Sequence, residues 1–454
     1  MKQLRKTALL RFSFEKMVLL MPLLALTFSC CDSAALKLHA NHADASRGLT
    51  RRELLQRMAV RSKARAARLL SGRAAAGARV DPGAYTGVVP DTEYLVHLAI
   101  GTPPQPVQLT LDTGSDLVWT QCRPCPVCFA QTLPYFDPSN SSTFGALPCD
   151  SPMCDGLAWS SCGKQSWGNR TCVYVYAYAD NSITIGSLDE DTFTFAASGN
   201  SSGEASVPGL AFGCGLFDNG IFTSNETGIA GFGRGALSLP SQLKVDNFSH
   251  CFTTITGSEP STVLLGLPAD LYGHGGAVQS TPLVQNLSSL TAYYLSLKGI
   301  TVGETRLPIP ESTFALRQDG TGGTIIDSGT GMTSLPRGAY ELVRDAFVAQ
   351  ARLPVDNATS SLLSQLCFSA PRRARPDNDV PRLALHLEGA TLELPRENYM
   401  FEFEDAGGGS FTCLAVSAGG DMTIIGNYQQ QNLHVLYDLV GNMLSFVPAQ
   451  CNRL

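Results

Sequence analysis

The strongest constraint on the fold of this 454-residue chain is a five-residue motif that occurs twice. The motif reads LDTGS at Leu111–Ser115 and IDSGT at Ile326–Thr330, and each copy follows a strand-like run. Each copy is also followed at long range by two apolar residues and a glycine, at Ile229–Gly231 and Ile424–Gly426. Such repetition predicts two similar structural units, each with an aspartate at the end of a strand.

The residues around these motifs have the pattern of an all-β protein. Short runs with alternating or β-branched residues recur, among them EYLVHLAI, VQLTLD, TCVYVYAY, AYYLSLKGITV and LHVLYDL, and turn-forming residues separate them. The clearest helical spacing is at 337–351. The roughly 370 residues from 84 onward exceed one typical core, so we expect an N-terminal lobe at 84–285 and a C-terminal lobe at 286–454.

The first 34 residues predict a secretory signal peptide. Basic residues precede an apolar run at Met17–Phe28, and small residues follow it. A membrane anchor is disfavoured because the run is shorter than the ~20 residues that a spanning helix needs. A transit peptide is disfavoured because seven Asn-x-Ser/Thr sequons follow and predict glycosylated surface loops. The sequons are at Asn140, Asn169, Asn200, Asn225, Asn247, Asn286 and Asn357.

The charge changes sharply along the chain. Residues 1–80 hold 16 of the 33 Lys and Arg but only 4 of the 39 Asp and Glu, so they carry +12 and the remainder carries −18. In the basic segment at 35–83, Thr50 and Glu53 predict a helix with a capping box, and Leu49 and Leu54 occupy hydrophobic-staple positions. We interpret this segment as a pro-segment that binds to the acidic remainder of the chain. Protonation of the carboxylates of that remainder would weaken the attraction and release the pro-segment. A nucleic-acid-binding tail is the alternative.

One aspartate on each lobe can place two carboxylates face to face. Two like charges at close range do not both ionise easily, so Asp112 and Asp327 would share one proton, with pKa values that belong to the pair. The ionised member can take a proton from a water held between them, and the other can hydrogen-bond a substrate carbonyl. The alternative is two Asx-type turns without chemistry.

The paired motifs, together with CRPCPVC, CVYVYAY, FGCG, GIAGFGRGALSLPSQL and IIGNYQQQNLHVLYDL, resemble the pepsin-like aspartic peptidases, and in particular their plant nepenthesin-type branch. The resemblance extends from Glu93 to Cys451. It implies an all-β, bilobal fold of two β-barrel-like lobes related by a pseudo-twofold axis, with a cleft between them. It also implies that Asp112 and Asp327 are the catalytic dyad. The motif residues expected to support the dyad are Thr113, Gly114, Ser115, Ser328, Gly329 and Thr330.

The resemblance further implies a flap in which Tyr178 closes over the substrate and Trp119 supports Tyr178. From the residues alone, Tyr178 belongs to an alternating aromatic run, which usually packs in a core. The flap sequence YADNS has Ala179 and Asn181 where the family usually has glycine. Asn181 tolerates left-handed backbone, so the turn should survive. Ala179 restricts the backbone, so flap mobility and substrate preference do not carry over from the family.

The cysteines predict disulfides rather than a metal site. Of the 14 cysteines, Cys30 and Cys31 lie in the signal region, and the remaining 12 suit six disulfides in an oxidising compartment. A metal knuckle at CRPCPVC is disfavoured because no histidine stands at ligand spacing. The sequence alone leaves the disulfide pairing open. The resemblance implies a pairing that would brace an insertion at 122–172. The implied pairs are Cys122–Cys125, Cys128–Cys214, Cys149–Cys172, Cys154–Cys162, Cys251–Cys451 and Cys367–Cys413.

These observations predict a secreted or vacuolar aspartic endopeptidase, made as a zymogen and active in acid. We expect a monomer that acts on peptide or protein substrates, with no metal or organic cofactor, no membrane anchor and no nucleic-acid partner. The alternative is a binding protein on the same scaffold, since plant relatives that inhibit glycoside hydrolases look similar but have damaged catalytic motifs. Both motifs are intact here. A Ser/His hydrolase is disfavoured because the G-x-S-x-G match, at Gly199–Gly203, lies in a polar run of small residues rather than at the strand-to-helix turn that a nucleophile elbow needs.

Overall fold

A computed structural model describes residues 36–42, 50–56, 58, 94–164, 170–197, 204–220, 222, 225–257, 259–266, 276–370, 379–404 and 408–453. Residues 34–454 form one compact unit. The expected signal peptide and most of the expected pro-segment lie outside the described residues, as do Leu49 and the sequons at Asn169 and Asn200. In the described part of the chain, no helix has the length and apolar character needed to cross a membrane.

The first half of the chain is dominated by strands, as predicted from its alternating runs. It also has three short helices, α1 (51–56), α2 (Pro152–Asp155) and α3 (Leu239–Gln242), and a 3-10 turn at Pro138–Asn140. Its strands are β1 (Leu36–His42), β2 (Tyr94–Ile100), β3 (Gln105–Asp112), β4 (Trp119–Gln121), β5 (Gly145–Ala146), β6 (Ser160–Lys164), β7 (Arg170–Ala177), β8 (Ile183–Ala197), β9 (Glu204–Asn219), β10 (Gly228–Gly231), β11 (Asn247–Cys251) and β12 (Ser261–Leu265).

The second half is also mostly strand. Its longer helix, α4 (Arg337–Gln350), confirms the helix predicted at 337–351, and α5 (Asn357–Leu363) follows it. Four 3-10 turns occur among its described residues, at Glu311–Thr313, Arg396–Asn398, Asn427–Gln430 and Cys451–Arg453. Its strands are β13 (Gln279–Pro282), β14 (Tyr293–Leu295), β15 (Leu297–Val302), β16 (Thr305–Arg306), β17 (Thr324–Ile326), β18 (Thr333–Pro336), β19 (Cys367–Ser369), β20 (Leu383–Leu387), β21 (Ala390–Leu394), β22 (Met400–Glu404), β23 (Ser410–Leu414), β24 (Val416–Gly419), β25 (Thr423–Ile425), β26 (Leu433–Asp438) and β27 (Met443–Pro448).

The largest sheet runs through both halves of the chain. Its order is β13-β27-β26-β11-β12-β1-β2-β3-β10-β4-β9-β8-β7-β6, with β5 paired to β8. The other described sheets have the orders β14-β17-β25-β18-β24, β16-β15-β20-β21 and β19-β23-β22. Aromatic side chains pack over the middle of the large sheet, where the ring centroids of Phe248 and Tyr437 lie 4.4 Å apart and those of Tyr94 and Phe252 lie 4.0 Å apart. Each such pair contributes about 0.5–1.5 kcal/mol beyond its buried area.

The two halves repeat one strand arrangement around their aspartates. Strand β3 pairs in parallel with β10, so that Leu111 lies opposite Ala230. Strand β17 pairs in parallel with β25, so that Ile326 lies opposite Ile425. Each LDTGS-like motif therefore leaves its sheet beside the distal apolar-apolar-Gly motif, and this arrangement carries both aspartates to strand ends.

The expected pro-segment contributes a strand that the sequence analysis did not predict. Strand β1 lies between β12 and β2, with Leu38 opposite Val263 and Ala40 opposite Val96. Alternate residues of β1 are buried, including Leu38 and Ala40. The alternation of apolar and polar residues in β1 is visible in the sequence. The strong basic charge of the segment favoured a helix and electrostatic binding as its interpretation instead.

The predicted capping box of α1 is confirmed. The Glu53 backbone N–H donates to Thr50 Oγ1 at 3.3 Å, and the Thr50 backbone N–H donates to Glu53 Oε2 at 2.8 Å. The apolar face of this helix is buried through Leu54, Leu55 and Met58. Burial of these side chains can anchor a short helix that would be marginal in isolation.

Four of the six disulfide pairs that the resemblance implies are absent from the structure, and four other pairs replace them. The structure has Cys251–Cys451 and Cys367–Cys413, as the resemblance implies. It does not have Cys122–Cys125, Cys128–Cys214, Cys149–Cys172 or Cys154–Cys162. The pairs present instead are Cys122–Cys214, Cys125–Cys128, Cys149–Cys162 and Cys154–Cys172.

Strand pairing and burial explain the corrected pairs. Strand β4 runs parallel to β9 with Thr120 opposite Cys214, which brings the Cα atoms of Cys122 and Cys214 to 5.3 Å. Helix α2 buries Cys154 against the equally buried Cys172, which leaves the exposed Cys162 to bond elsewhere. These contacts depend on long-range packing that cysteine spacing does not encode.

Candidate active site

The Asp112 carboxylate is held by its own loop. It is fully buried at the end of β3 and accepts hydrogen bonds from the Gly114 backbone N–H at 2.9 Å and from Ser115 Oγ at 2.6 Å. These two donors fix each carboxylate oxygen separately, because Gly114 reaches Oδ1 and Ser115 reaches Oδ2. Ser115 and Gly114 therefore have the orienting contacts expected from their positions in the motif.

The Asp327 carboxylate is held in the same way on the other side. It is fully buried after β17, and it accepts from the Gly329 backbone N–H at 3.0 Å and from Thr330 Oγ1 at 2.6 Å. The same oxygens are used as at Asp112, with Oδ1 facing the glycine and Oδ2 facing the hydroxyl. The sequence repeat is thus also a repeat of hydrogen bonds.

Reciprocal hydrogen bonds join the two loops. The Thr113 backbone N–H donates to Ser328 Oγ at 3.0 Å, and the Ser328 backbone N–H donates to Thr113 Oγ1 at 2.9 Å. Ser328 Oγ also donates to the Leu111 carbonyl at 2.9 Å. All of these groups are buried. The structure therefore brings the two motifs together as one unit, although 215 residues separate Thr113 from Ser328.

A cavity of about 650 Å³ lies beside the Asp112 loop. It contacts Gly114, its apolar wall includes Tyr294, Ile325 and Met422, and the exposed side chain of Arg317 stands at its edge. A cavity of this size accommodates part of an extended peptide. A larger cavity of about 900 Å³ between Thr253 and Arg453 contains no residue of either motif, so of these two cavities the smaller one adjoins the Asp112 loop.

Trp119 and Tyr178, to which the resemblance assigns flap roles, contact each other. Trp119 Nε1 donates to Tyr178 Oη at 2.7 Å, and both side chains are buried. Burial raises the pKa of Tyr178 well above its ordinary value. Asn181 has φ of 79°, so it adopts the left-handed conformation expected for this turn, and Asp180 Oδ1 accepts from the Ser182 backbone N–H at 2.8 Å.

Comparisons with known proteins decide the family. Family models described as "Xylanase inhibitor N-terminal" and "Xylanase inhibitor C-terminal" match residues 94–267 and 292–448. The chain is 44% identical to aspartic proteinase nepenthesin-1 of Nepenthes gracilis, over 90% of this chain and 89% of that protein. It is 41% identical to aspartic proteinase nepenthesin-2 of the same species, over 92% and 90% of the two chains.

The chain belongs to the pepsin-like aspartic peptidases, in their nepenthesin-type branch. It is therefore an aspartic-type endopeptidase. The crystal structure of Basic 7S globulin from soybean matches with a TM-score of 0.64 at 20% identity, over 92% of this chain and 97% of that one. That similarity supports the bilobal all-β fold.

The peptidase has a half-buried aspartate, Asp116, beside the Asp112 loop, which the sequence analysis missed. Asp116 Oδ2 accepts from Thr291 Oγ1 at 2.6 Å, and Oδ1 accepts from the Gly235 backbone N–H at 2.8 Å. The Asp116 backbone N–H donates to Tyr176 Oη at 3.1 Å. Burial raises the pKa of Asp116, and the two hydrogen bonds partly oppose this effect. Asp116 thus connects the Asp112 loop to the flap strand β7 and to Thr291.

Three alternate glycines of the peptidase make room for Asp116. A Cβ atom added at Gly231, Gly233 or Gly235 would overlap atoms of Asp116. The sequence GFGRG therefore permits close backbone approach, which is a common use of glycine. This alternation in GFGRG was the sequence signal that could have revealed a closely packed neighbour.

The Asp327 loop rests on neutral amide side chains that the sequence analysis also missed. Asn427 Nδ2 donates to the Ser328 carbonyl at 2.8 Å, and Gln430 Nε2 donates to the Asp327 carbonyl at 3.4 Å. Gln429 Oε1 accepts from the Thr333 backbone N–H at 2.9 Å. The run NYQQQ after IIG is therefore a support for the Asp327 loop.

One cluster among the described residues has the donor types of a metal site. The sulfurs of Cys125 and Cys128 and a carboxylate oxygen of Asp218 all lie within 4.8 Å of one another. The two sulfurs are joined in a disulfide, so they are not available as thiolate ligands.

Two of the expected glycosylation sites are corrected by burial. Asn286 is 4% exposed, and its Nδ2 donates to the Gly320 carbonyl at 3.1 Å. Asn247 is 7% exposed within β11. Burial of these two side chains disfavours a glycan at either site. Asn140 and Asn357 are exposed and Asn225 is half-buried, so glycosylation at these three sites stays a prediction.

Proposed function

We propose that Asp112 and Asp327 hydrolyse peptide bonds in acid by activating a water between them. The observation that carries this proposal is the matched support of two buried carboxylates on loops joined by reciprocal hydrogen bonds. Two neighbouring carboxylates share one proton in acid, so one is a base while the other is an acid.

The proposed reaction begins when the ionised aspartate removes a proton from the water. The water oxygen then attacks the peptide carbonyl carbon, and the protonated aspartate hydrogen-bonds the carbonyl oxygen. Transfer of a proton to the amide nitrogen allows the C–N bond to break and releases an amine and a carboxylic acid. Ser115 and Thr330 keep the carboxylates oriented throughout these transfers.

We also propose that the peptidase is a secreted or vacuolar zymogen whose residues 35–83 form a pro-segment. Two contacts of the described part support this. Strand β1 is built into the large sheet, and Arg51 of α1 lines a cavity of about 310 Å³ together with Glu397 and Glu402. Acidification protonates such glutamates and weakens their attraction to a basic segment. Shifting the purified full chain to acid should therefore yield a new N-terminus between residues 75 and 92, detected by N-terminal sequencing.

The experiment that tests the catalytic proposal uses the secreted, disulfide-intact protein and a quenched peptide library. Cleavage is followed from neutral to strongly acidic pH, with and without a statine-type inhibitor. Asp112→Asn should lower kcat/KM at least about 100-fold, because it removes the shared proton-transfer group. The matched control is Asp155→Asn, an exposed aspartate of α2 whose replacement should leave activity unchanged.

The second candidate function is a binding protein without peptidase activity. The matching family models carry the name of xylanase inhibitors, so this outcome has a specific observation behind it. Correctly folded, processed protein that cleaves no peptide in the library would overturn the catalytic proposal. Its binding to glycoside hydrolases would then be measured.

A further inference from the structure

The disulfide between Cys125 and Cys128 differs from its neighbours in size and exposure. It joins residues only three positions apart, and both cysteines are half-buried. By contrast, Cys122 and Cys214 are at most 3% exposed. A loop this short loses little entropy on closure, so the disulfide contributes little to the stability of the fold.

A buried carboxyl group lies against this disulfide. Asp218 is 2% exposed, and its Oδ2 lies 3.5 Å from Cys128 Sγ. Among the described residues, Asp218 Oδ1 has no hydrogen-bond partner. Burial raises the pKa of Asp218 to about 7, and a side-chain hydrogen bond with Thr184 partly opposes this rise. The carboxyl group therefore takes up and releases a proton near neutral pH, next to a sulfur atom and without a salt bridge among the described ion pairs.

We propose that Cys125–Cys128 is a thiol-exchange site in which Asp218 is the proton donor and acceptor. An external thiolate attacks Cys125 Sγ, the bond between the two sulfurs breaks, and the electron pair leaves on Cys128 Sγ. Asp218 gives its proton to this leaving sulfur. A second external thiol then displaces Cys125 as a thiol. Overall, two thiols are oxidised to one disulfide, and Cys125 and Cys128 are reduced.

The direction of attack follows from position. Asp218 Oδ2 lies beside Cys128 rather than Cys125, so protonation favours Cys128 as the leaving group. In the reverse direction, ionised Asp218 removes the proton from Cys128 and restores the nucleophile for disulfide formation.

The surrounding backbone can keep its structure when this disulfide opens. The Asp218 backbone N–H donates to the Val127 carbonyl at 2.8 Å, which ties the loop to β9. Cys122, at the start of the loop, is tied to the same strand by its bond to Cys214. Reduction at Cys125 and Cys128 therefore changes the chemistry of the loop without releasing it from the sheet.

The test compares two disulfides within the same native protein. The full chain is treated with a low concentration of dithiothreitol, quenched with an alkylating agent at successive times and mapped by mass spectrometry. The internal control is Cys149–Cys162, which includes the exposed Cys162. We expect Cys125–Cys128 to be reduced at least about tenfold faster, because a positioned proton donor assists its leaving group. Equal rates, or faster reduction of Cys149–Cys162, would contradict the proposal.

The role of Asp218 is tested by pH and by substitution. In the wild type, the ratio of the two reduction rates should rise as pH falls through about 7, where Asp218 becomes protonated. Asp218→Asn should slow reduction of Cys125–Cys128 at least about fivefold and leave that of Cys149–Cys162 unchanged. A ratio that does not change with pH would overturn the role of Asp218 even if the variant failed to fold.

Discussion

The loop that carries Asp112 and the loop that carries Asp327 make the same hydrogen bonds to their carboxylates but rest on different neighbours. Beside Asp112 are Asp116, whose carboxyl group can ionise, and the hydroxyl of Tyr176, which burial keeps protonated. Beside Asp327 are the neutral amides of Asn427 and Gln430. The two motifs therefore share their carboxylate contacts while their supports differ, and we expect changes of pH to act more strongly on the N-terminal side.

Ionisable groups also lie farther from Asp112 on the N-terminal side. Strands β8 and β9 carry Asp189 and Asp218, both buried, and burial raises the pKa of each to about 7. Each of these carboxyls has one oxygen without a hydrogen-bond partner among the described residues. Both are therefore neutral at the acidic pH in which we expect the enzyme to work, and both must ionise in a buried site as pH rises.

The largest expected effect tests this pH response through Asp189→Asn. The folded state keeps the Asp189 proton up to about pH 7, whereas the unfolded chain loses it near its ordinary value of 3.8. The unfolded state thus binds fewer protons between these values, so wild-type stability falls as pH rises from about 4 to about 7. We expect Asp189→Asn to reduce this fall by about 2–4 kcal/mol in urea unfolding.

The matched control for Asp189→Asn is the exposed Asp155→Asn, which should leave the pH dependence of unfolding as in the wild type. If both variants lost stability with rising pH as the wild type does, buried carboxyls of the N-terminal side would not set the pH response.

A smaller expected effect tests the reciprocal hydrogen bonds that join the Asp112 and Asp327 loops. Ser328→Ala removes the partner of the Thr113 N–H and of the Leu111 carbonyl, and we expect it to destabilise the fold by about 2–3 kcal/mol. Thr113→Val removes the partner of the Ser328 N–H. Because the two residues bond each other, the double variant should cost about 1 kcal/mol less than the sum of the single variants. Urea unfolding of all four proteins measures this coupling.

The control for this cycle combines Thr113→Val with Ser139→Ala on an exposed 3-10 turn. Those two changes should add within about 0.5 kcal/mol. Additivity in the Thr113 and Ser328 cycle as well would show that the reciprocal hydrogen bonds do not couple the loops.

The smallest expected effect concerns the difference at Asp116, whose equivalent position in the second loop is Gly331. An ionised Asp116 opposes ionisation of the neighbouring dyad, and its own raised pKa keeps it neutral in strong acid. Asp116→Asn should therefore move the alkaline limb of the kcat/KM profile to lower pH by about 0.3–1 unit, with a smaller shift of the acid limb. Equal shifts of both limbs would contradict this assignment.

The sequence predicted those parts of the molecule that depend on local pattern or on a repeat. The strands, the helix at 337–351, the meeting of the two aspartate loops and the contact of Trp119 with Tyr178 are all present. Four disulfides were predicted wrongly because their pairing depends on which strands lie side by side. Asp116 was missed because its partner Thr291 is 175 residues away.

Strand β1 is an interior strand of the large sheet, paired with β12 on one side and β2 on the other. Cleavage of the chain between residues 42 and 94 would cut the covalent link without breaking either set of hydrogen bonds. Loss of β1 would leave two open strand edges facing each other, an arrangement that invites another strand to pair. Cleavage of the proposed pro-segment would therefore give either a two-chain molecule that retains β1 or one in which a new segment takes the place of β1.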